Sequence, residues 1–246
     1  MLLLRSLVFN VCFYLNTIIH LLVYLPVLVL PRRTVWMVVC TWSAINHWLL
    51  RVLCGIDFEI RGIERIPSGP LLVASKHQSA WETFTLPTLF DDPVFILKRE
   101  LMWLPFFGWY LAKSKTIPVQ RGARKVALAA ATERAKIEIS RGRQILIFPE
   151  GTRRSPKAEP AYKYGVAHLY AELGVPCLPI ALNSGLYWPR RTWRLRPGTI
   201  RVQILEPIPP GLDPQAFIAR LQNEIETATT RLLAEGGAEA GQRNSV

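Results

Sequence analysis

The run Lys76-His77-Gln78-Ser79-Ala80-Trp81-Glu82-Thr83 carries residue types able to do acid-base chemistry. An imidazole, His77, is followed five positions later by a carboxylate, Glu82. On one regular helix the two would lie about 140° apart, at about 100° per residue, and would not meet. With His77 in a loop and Glu82 in the first helical turn, the carboxylate can fold back to the ring. A carboxylate on one ring nitrogen fixes the tautomer and supports the charge that develops as the other nitrogen takes a proton. That is the arrangement of a general base acting on a hydroxyl. A structural reading competes with it. Ser79-Ala80-Trp81-Glu82 also matches Ser-x-x-Glu, a helix capping box in which Glu82 only satisfies a backbone donor. Spacing alone leaves both open. His-x4-Glu is not the His-Glu-x-x-His of a metal site, and the chain has only four histidines, so no metal is expected. Without a Gly-x-Ser-x-Gly elbow, a serine acyl-enzyme has no support.

A second polar cluster, Phe148-Pro149-Glu150-Gly151-Thr152-Arg153-Arg154-Ser155, follows the apolar run at residues 144–148. Gly151 permits close backbone approach, Thr152 offers a hydroxyl, and the fork of Arg153 suits bidentate contact with phosphate oxygens. The pattern is not a Walker A loop. Lys98 and Arg121 also follow apolar runs, and Lys163 with Gly165 precedes a helix. Each cation alone reads as a solvated charge. Gathered at the ends of one sheet they would line an anion pocket.

The elements that must position these residues alternate. Strands are expected at 57–61, 71–74, 94–97, 116–119, 144–148, 175–182 and 199–205. Helices are expected at 80–90, 124–140, 164–173 and 213–234. The stretch 98–111 is aromatic and broken by proline. Strands alternating with helices point to an α/β fold, with a mostly buried mixed sheet flanked by helices. Three regions follow: hydrophobic helices over 1–54, a folded domain over 55–234, and a Gly-, Ala- and polar-rich tail over 235–246 expected to be disordered.

The formal charge is +12, from 30 Lys+Arg and 18 Asp+Glu, while half of the 246 residues are hydrophobic. That balance excludes a disordered basic tail and suits an anionic partner: a membrane surface, a nucleic acid or a phosphorylated substrate. No acidic residue precedes Asp57. Residues 6–30 carry no formal charge and are long enough for a bilayer core of roughly 30 Å. Residues 34–50 are shorter, with Trp36, Trp42 and Trp48 spread along them. Arg32-Arg33 between the two segments disfavours two full spans. One spanning helix with an interfacial helix, or a re-entrant pair, fits better. Cys12, Cys40, Cys54 and Cys177 form no Cys-x-x-Cys pair, which suits a reducing compartment.

The two clusters together resemble the glycerolipid acyltransferases, most closely the bacterial lysophosphatidate acyltransferases. Residues 76–82 look like that family's His-x4-Asp block, with Glu82 where the usual acid is Asp. Lys98-Arg99-Glu100-Leu101 with Pro105 and Gly108 is similar to its second block, and Ile117-Pro118-Val119-Gln120-Arg121 to the arginine-bearing strand end that follows. Phe148-Pro149-Glu150-Gly151-Thr152-Arg153 is like the third block, and Val175-Pro176-Cys177-Leu178-Pro179-Ile180 like the fourth. The likeness covers roughly residues 55–210.

The resemblance implies transfer of an acyl group from acyl-CoA or acyl-ACP, as co-substrate, to the sn-2 hydroxyl of lysophosphatidate. His77 would be the base, oriented by Glu82. Lys98, Arg121, Gly151, Thr152 and Arg153 would hold the phosphate, with Glu150 and Lys163 supporting. No metal or other cofactor is implied. Partners would be membrane lipids and an acyl carrier protein rather than nucleic acid. The location would be a bacterial inner membrane, with the domain on its cytoplasmic side. Competing readings are an acyltransferase for another lysolipid such as a lyso-ornithine lipid, a membrane-anchored hydrolase, and a basic adaptor without turnover.

Overall fold

The computed structural model describes residues 2–120 and 124–243. Two apolar helices, α1 (Leu2–Val23) and α2 (Arg33–Leu49), come first, and α2 runs into a π turn over Leu50–Cys54. Then follow β1 (Ile56–Arg61), β2 (Leu71–Ser75), α3 (Trp81–Thr85), β3 (Pro93–Lys98), α4 (Phe107–Lys113) and β4 (Ile117–Val119). The remaining elements are α5 (Arg124–Ser140), β5 (Gln144–Ile147), α6 (Gly165–Leu173), β6 (Cys177–Leu182), β7 (Gly198–Ile204) and α7 (Pro214–Arg243).

The described strands form one mixed sheet in the order β1-β7-β6-β2-β5-β3-β4. Strands β6, β2, β5, β3 and β4 run parallel to one another, and β7, with β1 parallel to it, is antiparallel to β6. The carboxyl ends of five strands therefore open on one edge, the usual ligand edge of an open α/β sheet. Their apolar runs reflect burial on both faces. Side chains alternate along β2. Leu71 and Val73 share a core with Phe9, Trp81 and Phe84 from the α1, α2 and α3 side. Leu72 and Ala74 share another with Ala135, Leu169 and Phe217 from α5, α6 and α7.

The N-terminal helices form a hairpin that lies along the domain. Asn16 donates to Asn46 Oδ1 at 3.1 Å, and Trp42 Nε1 to Thr17 Oγ1 at 3.1 Å. At the tip, Arg32 makes a bidentate pair with Asp92, which also meets buried Arg143 at 2.9 Å. Against the opposing effect of burial, these guanidiniums hold the Asp92 carboxyl below its ordinary value. The tip is thus fastened to the domain and does not project away from it. Both α1 and the continuous helix Arg33–Cys54, α2 with its π turn, are long and apolar enough to cross a membrane, yet each buries one face on the protein.

Two helix ends differ from expectation by more than two residues. The helix expected over 80–90 ends at Thr85 and continues as a 3-10 turn, Leu86–Leu89, because Pro87 has no N–H to donate. The last helix extends to Arg243, so residues 235–243 are helical where an irregular tail was expected. Gly236 sits against the domain there. A Cβ at that position would meet the Tyr187 hydroxyl at 2.6 Å.

Candidate active site

His77 leaves the end of β2 and Glu82 lies in the first turn of α3. The helix turns the carboxylate back, and His77 Nδ1 lies 3.0 Å from Glu82 Oε1. The same oxygen accepts the backbone N–H groups of Gln78 and Ser79, each at 2.6 Å. Ser184 Oγ donates to Oε2 at 2.9 Å. Glu82 is completely buried and both satisfies backbone donors and meets the ring. The two readings of Ser79-Ala80-Trp81-Glu82 therefore coexist. An ionised carboxylate only accepts, so Nδ1 carries the proton and Nε2 keeps its lone pair. The ring also stacks on Phe148, with centroids 3.9 Å apart and planes 15° apart.

Because β2 and β5 are parallel neighbours, the loop after β5 lies beside His77. Arg154 N–H donates to the His77 carbonyl at 2.8 Å. Glu150 Oε2 accepts the His77 N–H at 3.3 Å, and Oε1 accepts Lys76 Nζ at 3.0 Å. Lys76 points to the opposite face of the sheet, where it also reaches Glu226 of α7 at 2.7 Å. Tyr162 donates its hydroxyl to Glu226 at 2.9 Å. Burial and that carboxylate push the Tyr162 phenol well above its ordinary value. Burial also raises the Glu150 carboxyl, against the pull of Lys76 and the His77 N–H. Glu150 is thus a buried brace, set back from solvent.

A cavity of about 850 Å³ opens at this edge. Its polar lining includes His77, Lys98, Gly151, Thr152, Arg153 and Lys163, together with Arg32, Arg33 and Arg143 and the aspartates Asp91 and Asp92. Gly151 adopts φ +64°, and a Cβ there would meet Lys163 Nζ at 2.9 Å, so the ammonium lies directly over that backbone. Lys98, at the end of β3, is also paired with Glu100 at 3.2 Å. Arg121 lies outside the described residues. Phe95, Leu97, Leu101, Leu111, Leu128 and Leu169 supply apolar wall, and Trp36, Val39 and Trp42 of α2 join them. Trp103 and Trp109, by contrast, are exposed. Among the described residues, no group of three or more His, Cys, Asp and Glu is placed to hold a metal.

Sequence reasoning missed Ser184, Phe148 as a ring partner, Glu226 and Tyr162. Ser184 had a readable signal: Asn183-Ser184 is a polar pair directly after an apolar run, at the end of β6 beside β2.

Comparison with known proteins bears on the family and the fold. The family model described as Acyltransferase matches residues 57–183. A 1-acyl-sn-glycerol-3-phosphate acyltransferase from Pseudomonas aeruginosa is 41% identical over 209 residues, spanning 84% of this chain and 81% of that protein. A lyso-ornithine lipid O-acyltransferase from the same organism is 28% identical over 199 residues, with coverage of 74% and 76%. A crystal structure of the 1-acyl-sn-glycerophosphate (LPA) acyltransferase from Thermotoga maritima shares the fold at a TM-score of 0.78 and 22% identity. It covers 94% of this chain and 98% of that one. The histidine-carboxylate pair, the adjoining cationic loop and the match across residues 57–183 lead to one conclusion: the chain belongs to the acyltransferase family.

Proposed function

We propose that the protein transfers a fatty acyl group from an acyl thioester to the sn-2 hydroxyl of lysophosphatidate, giving phosphatidate. One observation carries this reading: His77, the cations Lys98, Arg153 and Lys163, and a long apolar wall share a single cavity. A monoacyl phosphate has that combination of groups. Its phosphate suits the cationic loop and its hydroxyl the free Nε2 of His77. An acyl chain suits the apolar wall, where each buried methylene is worth about 0.8 kcal/mol. The 41% identical relative bears the name of this activity.

In the reaction, His77 Nε2 takes the proton of the attacking hydroxyl while Glu82 stabilises the imidazolium. The hydroxyl oxygen forms the new ester bond to the thioester carbonyl carbon. The carbon-sulfur bond breaks, and the leaving thiolate takes the proton back from His77. Bonds and protons balance without a redox cofactor. Glu150 acts through Lys76 and the His77 backbone rather than on the phosphate. Membrane association through the apolar hairpin gives access to a lipid acceptor, while the thioester, from coenzyme A or an acyl carrier protein, arrives from the cytosol.

Membranes containing the protein, given defined lysolipids and both thioesters, test this by mass analysis of the products. Phosphatidate is expected from lysophosphatidate. Acylated lyso-ornithine lipid in its place would move the acceptor to the second Pseudomonas relative's substrate, and free fatty acid alone would sink the transferase reading.

A further inference from the structure

We propose that the loop at residues 188–197 docks the protein onto an anionic lipid surface and sets the height of the cavity mouth above it. The inference rests on the membrane association proposed above and adds the part of the molecule that reads lipid charge. The loop sequence is Trp-Pro-Arg-Arg-Thr-Trp-Arg-Leu-Arg-Pro, with four arginines and no acid. Its anchors face inward. Trp188 packs edge-on against Phe9 with centroids 5.2 Å apart, and Leu195 is fully buried. Arg191 and Arg194 between them and Arg196 just beyond are exposed, as is Trp193 at 63%. Among the described residues none of these three arginines pairs with a carboxylate.

The loop is fastened along one edge of α1. Leu195 N–H donates to Ser6 Oγ at 3.1 Å, and Asn10 Nδ2 to the Trp193 carbonyl at 3.3 Å. At about 100° per residue, Ser6 and Asn10 share that edge, and the next positions round the helix are Leu3, Leu7 and Tyr14. All three are exposed. An arginine-rich edge carrying an outward tryptophan thus borders an apolar strip. Tryptophan favours the bilayer interface, and an anionic leaflet attracts arginines held near it. An acidic protein partner would answer the arginines but leave the strip on α1 in water, at the cost large apolar patches carry. The loop also reaches the reaction site: Arg190 donates to the Arg153 carbonyl in the cationic loop. Docking this edge therefore brings the cavity to headgroup level.

The test uses the full chain and vesicles of phosphatidylcholine, alone or mixed with phosphatidylglycerol. Replacing Arg191, Arg194 and Arg196 together by Gln is expected to weaken binding to the anionic vesicles about 100-fold at low salt, leaving binding to neutral vesicles unchanged. Turnover of detergent-dispersed lysophosphatidate should stay at the wild-type rate. Arg194→Gln alone should lose about fivefold, a guard against misfolding of the triple variant. Trp193→Ala should weaken binding to both vesicle types. A triple variant that keeps its anionic preference overturns the proposal. So does one that binds vesicles normally and loses turnover only with an acyl-carrier-protein donor, because the loop would then serve an acidic protein. A wild-type protein inactive on dispersed lysophosphatidate counts against the substrate reading and leaves the vesicle result standing.

Discussion

Lys76 and His77 are neighbours in sequence and leave β2 on opposite faces of the sheet. Both cation-capable side chains meet a buried glutamate, and there the likeness ends. The Lys76 ammonium is sealed, at 2% exposure, between Glu150 and Glu226. Among the described residues His77 pairs through Nδ1 alone, and it borders the cavity with the rest of its ring. A buried charge is tolerated only when its partners are complete, and a complete set leaves nothing for a substrate. A general base needs the reverse: one nitrogen fixed and one open. Two glutamates can thus serve adjacent residues in different ways, Glu150 by holding the loops together and Glu82 by orienting the base.

The open side should carry the rate. His77→Ala is expected to lower kcat by about 10³-fold, within the range for loss of a general base. Stability should fall only by about 1.5–3 kcal/mol, the worth of one bond to a charged group, because Glu82 keeps the donors Gln78 N–H, Ser79 N–H and Ser184 Oγ. Steady-state turnover and thermal melting check both halves of the statement. Turnover surviving within tenfold of wild type would end the base assignment.

The sealed side should carry the scaffold. Lys76→Met leaves Glu150 and Glu226 close together without their cation, and should destabilise by about 3–5 kcal/mol, as broken buried pairs do. The pH dependence gives a second check. Burial already raises the Glu150 carboxyl, and losing the ammonium raises it further. A carboxyl whose pKa is higher folded than unfolded holds more protons in the folded state. The variant therefore loses stability as pH rises through the window between those two values, and melts higher in mild acid than at neutral pH. Adding Glu150→Gln should recover part of the loss. A Lys76→Met protein as stable as wild type at neutral pH would show that the buried pair holds nothing.

The parallel-sheet core and the two loop motifs were legible because each strand is a short apolar run ending in a polar cluster. His77 and the residues 148–153 stood out for that reason. The partners of Lys76 did not. Glu226 lies 150 positions away on a helix where an acidic residue reads as solvated, and only the fold brings α7 under β2. Alternation along Leu71–Ser75 would have sent Lys76 and His77 to opposite faces, a signal present in the sequence. The hairpin's apolar length was equally plain, but its course along the domain depends on the Arg32 pair with Asp92, 60 positions on. Glu82 was ambiguous for a different reason: one side chain does both jobs, so the two readings were never alternatives.

The smallest expected effect sharpens the boundary between the two sides. Ser184 touches Glu82 and not the His77 ring, through a single hydrogen bond from the end of β6. A bond to a charged group is worth about 1.5–3 kcal/mol, so Ser184→Ala should cost that much stability. Glu82 would keep His77 and its two backbone donors, and the ring would stay stacked on Phe148. Its effect on kcat should then stay below about tenfold, with KM for the acceptor unchanged, since removing a supporting bond leaves substrate contacts intact. A loss of rate as large as that of His77→Ala would mean that orientation of the pair depends on β6 as much as on α3. The functional unit would then be three strand ends, β2, β5 and β6, acting together, rather than one dyad on a separate brace.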